Sequence, residues 1–152
     1  MIKITVRIEN TIWRKHLPPP TLWAKKAAAA LAESGFKEQR RSTLLLTDDA
    51  ALKTLNNNFR NKDKATNILS FPSGVPDYLG DMAMAFETCQ REAIEEGKTF
   101  LDHATHLLIH GLLHLLGYDH INEKEALEME ALEVSLLSRM DIANPYEREQ
   151  YV

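Results

Sequence analysis

HLLIHGLLHLLGYDH, residues 106–120, decides how the rest of the chain is read, and it holds four of the six histidines. His106, His110 and His114 follow at intervals of four. Four residues of α-helix advance the side chain by about 1.1 turns, so the three share a face. Leu107, Leu108, Ile109, Leu112, Leu113, Leu115 and Leu116 fill the other directions, which predicts a helix from about Leu101 to Leu116 buried on most sides. Gly117 is its stop signal, because glycine takes the left-handed conformation that ends helices. A turn through Tyr118 and Asp119 can then bring His120 back toward His110 and His114.

The spacing His110-x3-His114-x5-His120 predicts a metal centre. Imidazole suits Zn²⁺, and nickel, iron and copper accept the same donor. Three protein ligands with an open position is the catalytic zinc arrangement, whereas a structural site closes with a fourth ligand. Cys89 is the single cysteine and cannot build a thiolate site. One histidine on an apolar helix is usually a packed core residue; three at these intervals, with a glycine turn before the third, are not explained that way. His106 is expected either to brace the site by orienting a ligand or to pack one turn upstream. Asp119 has two readings, bracing a histidine or satisfying the turn.

Outward from this helix, four strand candidates and about five helices alternate too irregularly for a long βαβ series, which predicts an α+β fold. Residues 2–8 alternate apolar and polar, as an edge or near-edge strand does. After Pro18-Pro19-Pro20 a helix starts at Thr21 and runs to Ser34, with Gly35 ending it. Ser42–Leu46 is a strand; Thr47 caps a helix through about Asn56. The stretch Asn56–Lys64 reads as a polar loop leading into a strand at Ile68–Phe71. Pro72–Leu79, with two prolines and a glycine, reads as a loop or turn before a strand at Gly80–Ala85. Asp81 on that strand could orient a ligand histidine or cap a turn. Helices follow at Glu87–Glu96 and Glu123–Met140. In the last, Leu127, Val134 and Leu137 are expected to face the core, and Glu123, Glu125, Glu128, Glu130 and Glu133 to form a solvated face. The tail 144–152 is expected to fray.

A chain of 152 residues fits one domain, 1–152. A lone cysteine suits a reducing compartment. No signal peptide or window of 18 apolar residues is apparent, so the expected address is the cytoplasm, with no membrane. Residues 1–75 carry 13 Lys/Arg against 6 Asp/Glu, and residues 76–152 carry 5 against 16. The basic half could line a cleft for a phosphate backbone, or the two halves could pair across the fold. Arg60, Lys62 and Lys64 fall on alternate positions before a strand, where phosphate-binding groups can be presented. Arg60 stands out, because a guanidinium grips two phosphate oxygens at once.

HGLLHLLGYDH resembles the signature of the bacterial YbeY family of metal-dependent endoribonucleases, which mature rRNA. NNNFRNKDKATNILSFP at 56–72 and GDMAM at 80–84 resemble two further blocks of that family, and the similarity spans about Leu45 to Leu137 in matching order. The triad is also similar to that of metzincin peptidases, but those place a glutamate directly after the first histidine, where this chain has Gly111.

The resemblance implies a small mixed sheet flanked by helices, with one zinc in a cleft on the histidine helix. It implies a single-strand-specific, zinc-dependent endoribonuclease acting in late 16S rRNA 3′-end maturation and ribosome quality control. His110, His114 and His120 would hold the metal, Arg60 and His114 would serve the chemistry, and Lys62 and Lys64 would contact the RNA backbone. Small-subunit rRNA is the expected partner, with ribosomal small-subunit proteins and an assembly GTPase beside it. Two other classes compete: a non-catalytic ribosome assembly factor with a structural metal, and a metzincin-like metallohydrolase. The glutamate missing at position 111 leaves the proton acceptor unassigned.

Overall fold

Ile4, Val6 and Ile8 turn one side of β1 (Lys3–Ile8) toward the core, while Lys3, Thr5 and Arg7 turn the other outward. β1 is an edge of a four-stranded sheet in the order β1-β2-β4-β3, built with β2 (Arg41–Thr47), β3 (Ile68–Val75) and β4 (Tyr78–Ala85). β1 and β2 are parallel, as are β2 and β4, and β3 runs antiparallel to β4. The sheet is therefore mixed, and with five α-helices the fold is α+β. The computed structural model describes residues 1–60 and 66–146, with the backbone alone at Arg60.

The helices are α1 (Pro20–Glu33), α2 (Asp49–Arg60), α3 (Phe86–Glu95), α4 (Phe100–Leu115) and α5 (Glu123–Arg139). A short 3₁₀ helix at Thr11–Lys15, which sequence reasoning missed, buries Trp13 completely and lets its Nε1–H donate to the Thr47 carbonyl at 2.8 Å. α4 is the histidine helix. It packs against β3 on one side and against α3 and α5 on others, so Leu108, Ile109, Leu112 and Leu113 are wholly buried. Burying four such side chains contributes about 6–12 kcal/mol as an upper figure, the size of a whole domain's net stability. Packing, more than the modest helix propensity of histidine, threonine and glycine, therefore fixes where the histidines point.

Alternation along β4 sends Met82 and Met84 to the α4 side and Asp81, Ala83 and Ala85 to the other. On that second face a smaller cluster of Leu52, Leu69, Ala83 and Ala85 is covered by α2. Beside α2 the second face stays open as a groove of about 850 Å³ bounded by Arg7, Thr43, Phe59 and Asp81.

Several expectations are corrected. Of Pro72–Leu79 only Pro76–Asp77 is a turn, and the rest belongs to β3 and β4, which form a hairpin through it. Pro72 is tolerated because β3 is an edge strand, where a missing N–H leaves no ladder partner wanting. The polar run after Asn56 does not leave the helix there, since α2 continues to Arg60. Leu127 is 60% exposed and Glu133 only 1% exposed, which reverses their expected places on α5. In the tail expected to fray, Tyr146 makes hydrogen bonds to Glu133 and His106; residues 147–152 lie outside the described residues.

Candidate metal centre

α4 begins at Thr99, whose side chain accepts the Asp102 N–H, and ends as Gly117 turns at φ +102°. The reversal does what the spacing requires. The rings of His110 and His114 lie 4.5 Å apart, and that of His120 lies 5.7 and 5.2 Å from them. One nitrogen from each of the three falls within 4.8 Å of the others.

Hydrogen bonds decide which nitrogens face inward. His114 Nδ1 lies 3.0 Å from the Tyr118 carbonyl, which can only accept, so that nitrogen carries the proton. His110 Nδ1 lies 2.9 Å from Oε2 of Glu133. Burial alone would raise the pKa of Glu133, but hydrogen bonds from His106, His110 and Tyr146 hold it down at about 2. The carboxylate is therefore an acceptor, and His110 Nδ1 also carries its proton. In their neutral forms both rings then present Nε2 lone pairs to each other, 3.0 Å apart. Two lone pairs at that distance repel unless a proton or a cation lies between them.

The residues present fit a zinc ion. Tetrahedral zinc with Zn–N bonds of about 2.0–2.1 Å holds two ligand nitrogens about 3.3 Å apart, close to the spacing of His110 and His114. His114 is also held below the usual imidazole pKa by burial first and by the neighbouring His110 second, which favours the neutral, ligating form. His120 is exposed, so the third donor sits on the solvent side of the pair.

Glu133 is the residue that sequence reasoning missed. Its signal was present: Met129, Leu136 and Leu137 form the buried stripe of α5, and Glu133 occupies the same stripe at the i+4 position. A carboxylate on a buried stripe must be paired. It is paired through both oxygens, Oε2 with His110 and Oε1 with His106 Nε2 at 2.5 Å. His106 and His110 thus lie on the two oxygens of one carboxylate.

Asp119 satisfies the turn, its Oδ1 accepting the His120 N–H at 2.8 Å. Asp81 is on the sheet face away from α4 and accepts a hydrogen bond from the Tyr78 hydroxyl, so it orients no ligand histidine. Arg60 is the last residue of α2. Lys62 and Lys64 lie outside the described residues. The chain re-enters at β3, where Ile68 packs over Gly111, the residue after His110.

Gly111 explains the missing glutamate physically. A Cβ there would meet Ile68 Cδ1 at 2.7 Å, Met82 Sδ at 3.1 Å and Ser70 Oγ at 3.2 Å. This position faces β3 and β4, so a side chain there would have to displace Ile68, Met82 or Ser70.

A second acidic group, Glu92, Glu96 and His103, also brings one ligand atom each within 4.8 Å. There His103 Nε2 is bonded to Glu92 at 2.9 Å, and Glu96 is paired with Lys98 at 2.8 Å, so its donors are already engaged.

The family model described as Endoribonuclease YbeY matches residues 7–141. The endoribonuclease YbeY of Methylocella silvestris is 43% identical over 150 residues, covering 95% of this chain and 85% of that protein. That of Bradyrhizobium diazoefficiens is 44% identical over 146 residues, covering 88% and 79%. A solution structure from Thermotoga maritima has the same fold, with a TM-score of 0.61 over 93% of this chain and 92% of that one, at 23% identity.

Proposed function

The chain belongs to the endoribonuclease YbeY family, and on that premise we propose that it is a zinc-dependent endoribonuclease of single-stranded RNA. The reading extends to late 16S rRNA 3′-end maturation and ribosome quality control in the cytoplasm, beside small-subunit proteins and an assembly GTPase. Its chemistry rests on one observation, the Nε2 atoms of His110 and His114 facing each other at 3.0 Å beside His120.

His110, His114 and His120 would hold one zinc ion. Such an ion supplies Lewis-acid chemistry, polarising a phosphoryl oxygen or making water acidic enough to act as nucleophile near neutral pH. The protein's own contribution is positional. Glu133 and the Tyr118 carbonyl fix the tautomers of His110 and His114, and α4 fixes their rings. Arg60 would neutralise charge that builds on the phosphate in the transition state, with Lys62 and Lys64 gripping the backbone on either side. Gly111 carries no side chain to serve as the peptidase-type base, which favours phosphodiester over peptide cleavage.

The deciding experiment pairs metal content with cleavage of a small-subunit rRNA 3′-end substrate, for wild type and Arg60→Ala purified identically. The expected result is about one zinc per chain in both, with cleavage lost by at least about 100-fold in the variant. Equal cleavage by the two would remove Arg60 from the chemistry. A His114→Ala protein that keeps a full equivalent of zinc would remove His114 from the ligands.

A further inference from the structure

The end of the described chain reaches the histidines through Glu133. We propose that Tyr146 and His106 are positioning residues of the metal centre, holding one oxygen of Glu133 so that the other stays on His110 Nδ1. This rests on the zinc reading of the three histidines.

The path is built into the backbone. α5 stops at Arg139, and Asp141 takes a φ of +61°, the only positive value at a non-glycine residue among the described residues. With Asp141 left-handed, its N–H donates to Ser138 O at 3.1 Å and the Ile142 N–H donates to Leu137 O at 2.9 Å. This is the bond pattern that reverses a chain at a helix end. Ile142 packs on the main core as the chain turns back. Asn144 then accepts the Tyr146 N–H at 2.8 Å in a turn through Pro145. The result is that Tyr146 returns to a residue 13 positions earlier, its hydroxyl 2.5 Å from Oε1 of Glu133.

The same oxygen is approached from a second side by His106 Nε2, and the His106 and Tyr146 rings stand nearly perpendicular with centroids 5.6 Å apart. A glutamate has three rotatable side-chain bonds and no stiffness of its own. With Oε1 fixed by two donors, Oε2 is left in one place, 2.9 Å from His110 Nδ1. Tyr146 also walls the hollow of about 310 Å³ that His110 and His120 line. Helix end, reversed segment and carboxylate thus act together on one ligand.

The test uses the full chain and the Zn²⁺ ion itself. Zinc affinity is measured by competition with a chromophoric chelator, and the geometry by the visible absorption of the Co²⁺-substituted protein. Glu133→Gln is expected to weaken zinc about 10- to 100-fold. Tyr146→Phe, which removes only a hydroxyl, is expected to weaken it about 3- to 10-fold and to alter the cobalt spectrum. Wild-type affinity and spectrum in both variants would overturn the proposal, even where the metal-free melting point falls, since that would make the bonds merely structural. A wild-type protein that takes up no zinc would overturn the zinc reading and this inference together.

Discussion

At position 111 one side chain separates this site from that of a metzincin-like peptidase. A glutamate there would have to fit its stem between Ile68, Met82 and Ser70, the nearest atoms among the described residues. An unpaired carboxylate in that space costs about 3 kcal/mol or more. Gly111→Glu should therefore lower the thermal midpoint by at least about 6 °C, at roughly 2–4 °C per kcal/mol for a chain of this size, and confer no peptidase activity. A stable variant that cleaves peptides would show that the helix can rotate its histidine face, and the geometric argument would fail. The neighbouring residues explain the restriction: Ser70 Oγ already donates to the Gly111 carbonyl at 3.4 Å, so sheet and helix touch at the backbone.

The elements differ in how plainly they could be read. α4 was legible because its apolar residues and histidines repeat at helical spacing and a glycine closes it. β1 was legible by alternation and β2 as a short run that turns apolar at its end. The β3–β4 hairpin was not, because Pro72, Gly74 and Pro76 read as loop residues and only an edge position makes them compatible with pairing. Likewise the end of α2 was hidden by a run of asparagines, whose weak propensity is overridden by burial of Leu52 and Asn56. Glu133 was hidden by its four acidic companions, although its place on the Met129–Leu136–Leu137 stripe set it apart. Caps offer an element-scale test that leaves the site alone. Thr99→Ala removes the acceptor for the Asp102 N–H at 3.1 Å and should cost about 1 kcal/mol. Its melting point should drop by about 2–4 °C with zinc affinity unchanged. A parallel loss of zinc binding would mean that the start of α4 and its histidine end are coupled, against the view that packing in the middle of the helix sets the site.

For the whole molecule, pH should separate metal from scaffold in two windows. Imidazole ordinarily gains its proton near pH 6.5, and His114 is held lower by burial. Protonation removes the Nε2 lone pair that a metal needs but leaves the Nδ1–H bonds to Glu133 and Tyr118 intact. Zinc at 100 times its dissociation constant adds about 2.7 kcal/mol, so the holo protein should melt about 5–10 °C above the chelator-treated one at pH 7.5. That gap should close as pH falls below the ordinary imidazole value of about 6.5. The second window belongs to Glu133, whose carboxyl lies at about 2 in the fold against an ordinary 4.5. Since the folded value is the lower, its stabilisation is complete above pH 4.5 and is lost as pH falls toward 2, amounting to about 3 kcal/mol. Metal-free wild type should therefore lose stability between pH 4.5 and 2 more steeply than metal-free Glu133→Gln, as followed by urea midpoints across that range. If the two proteins track each other through acid, Glu133 is not the ionised joint between α5, the chain end and the histidine helix, and some other group must hold His110 in its ligating tautomer.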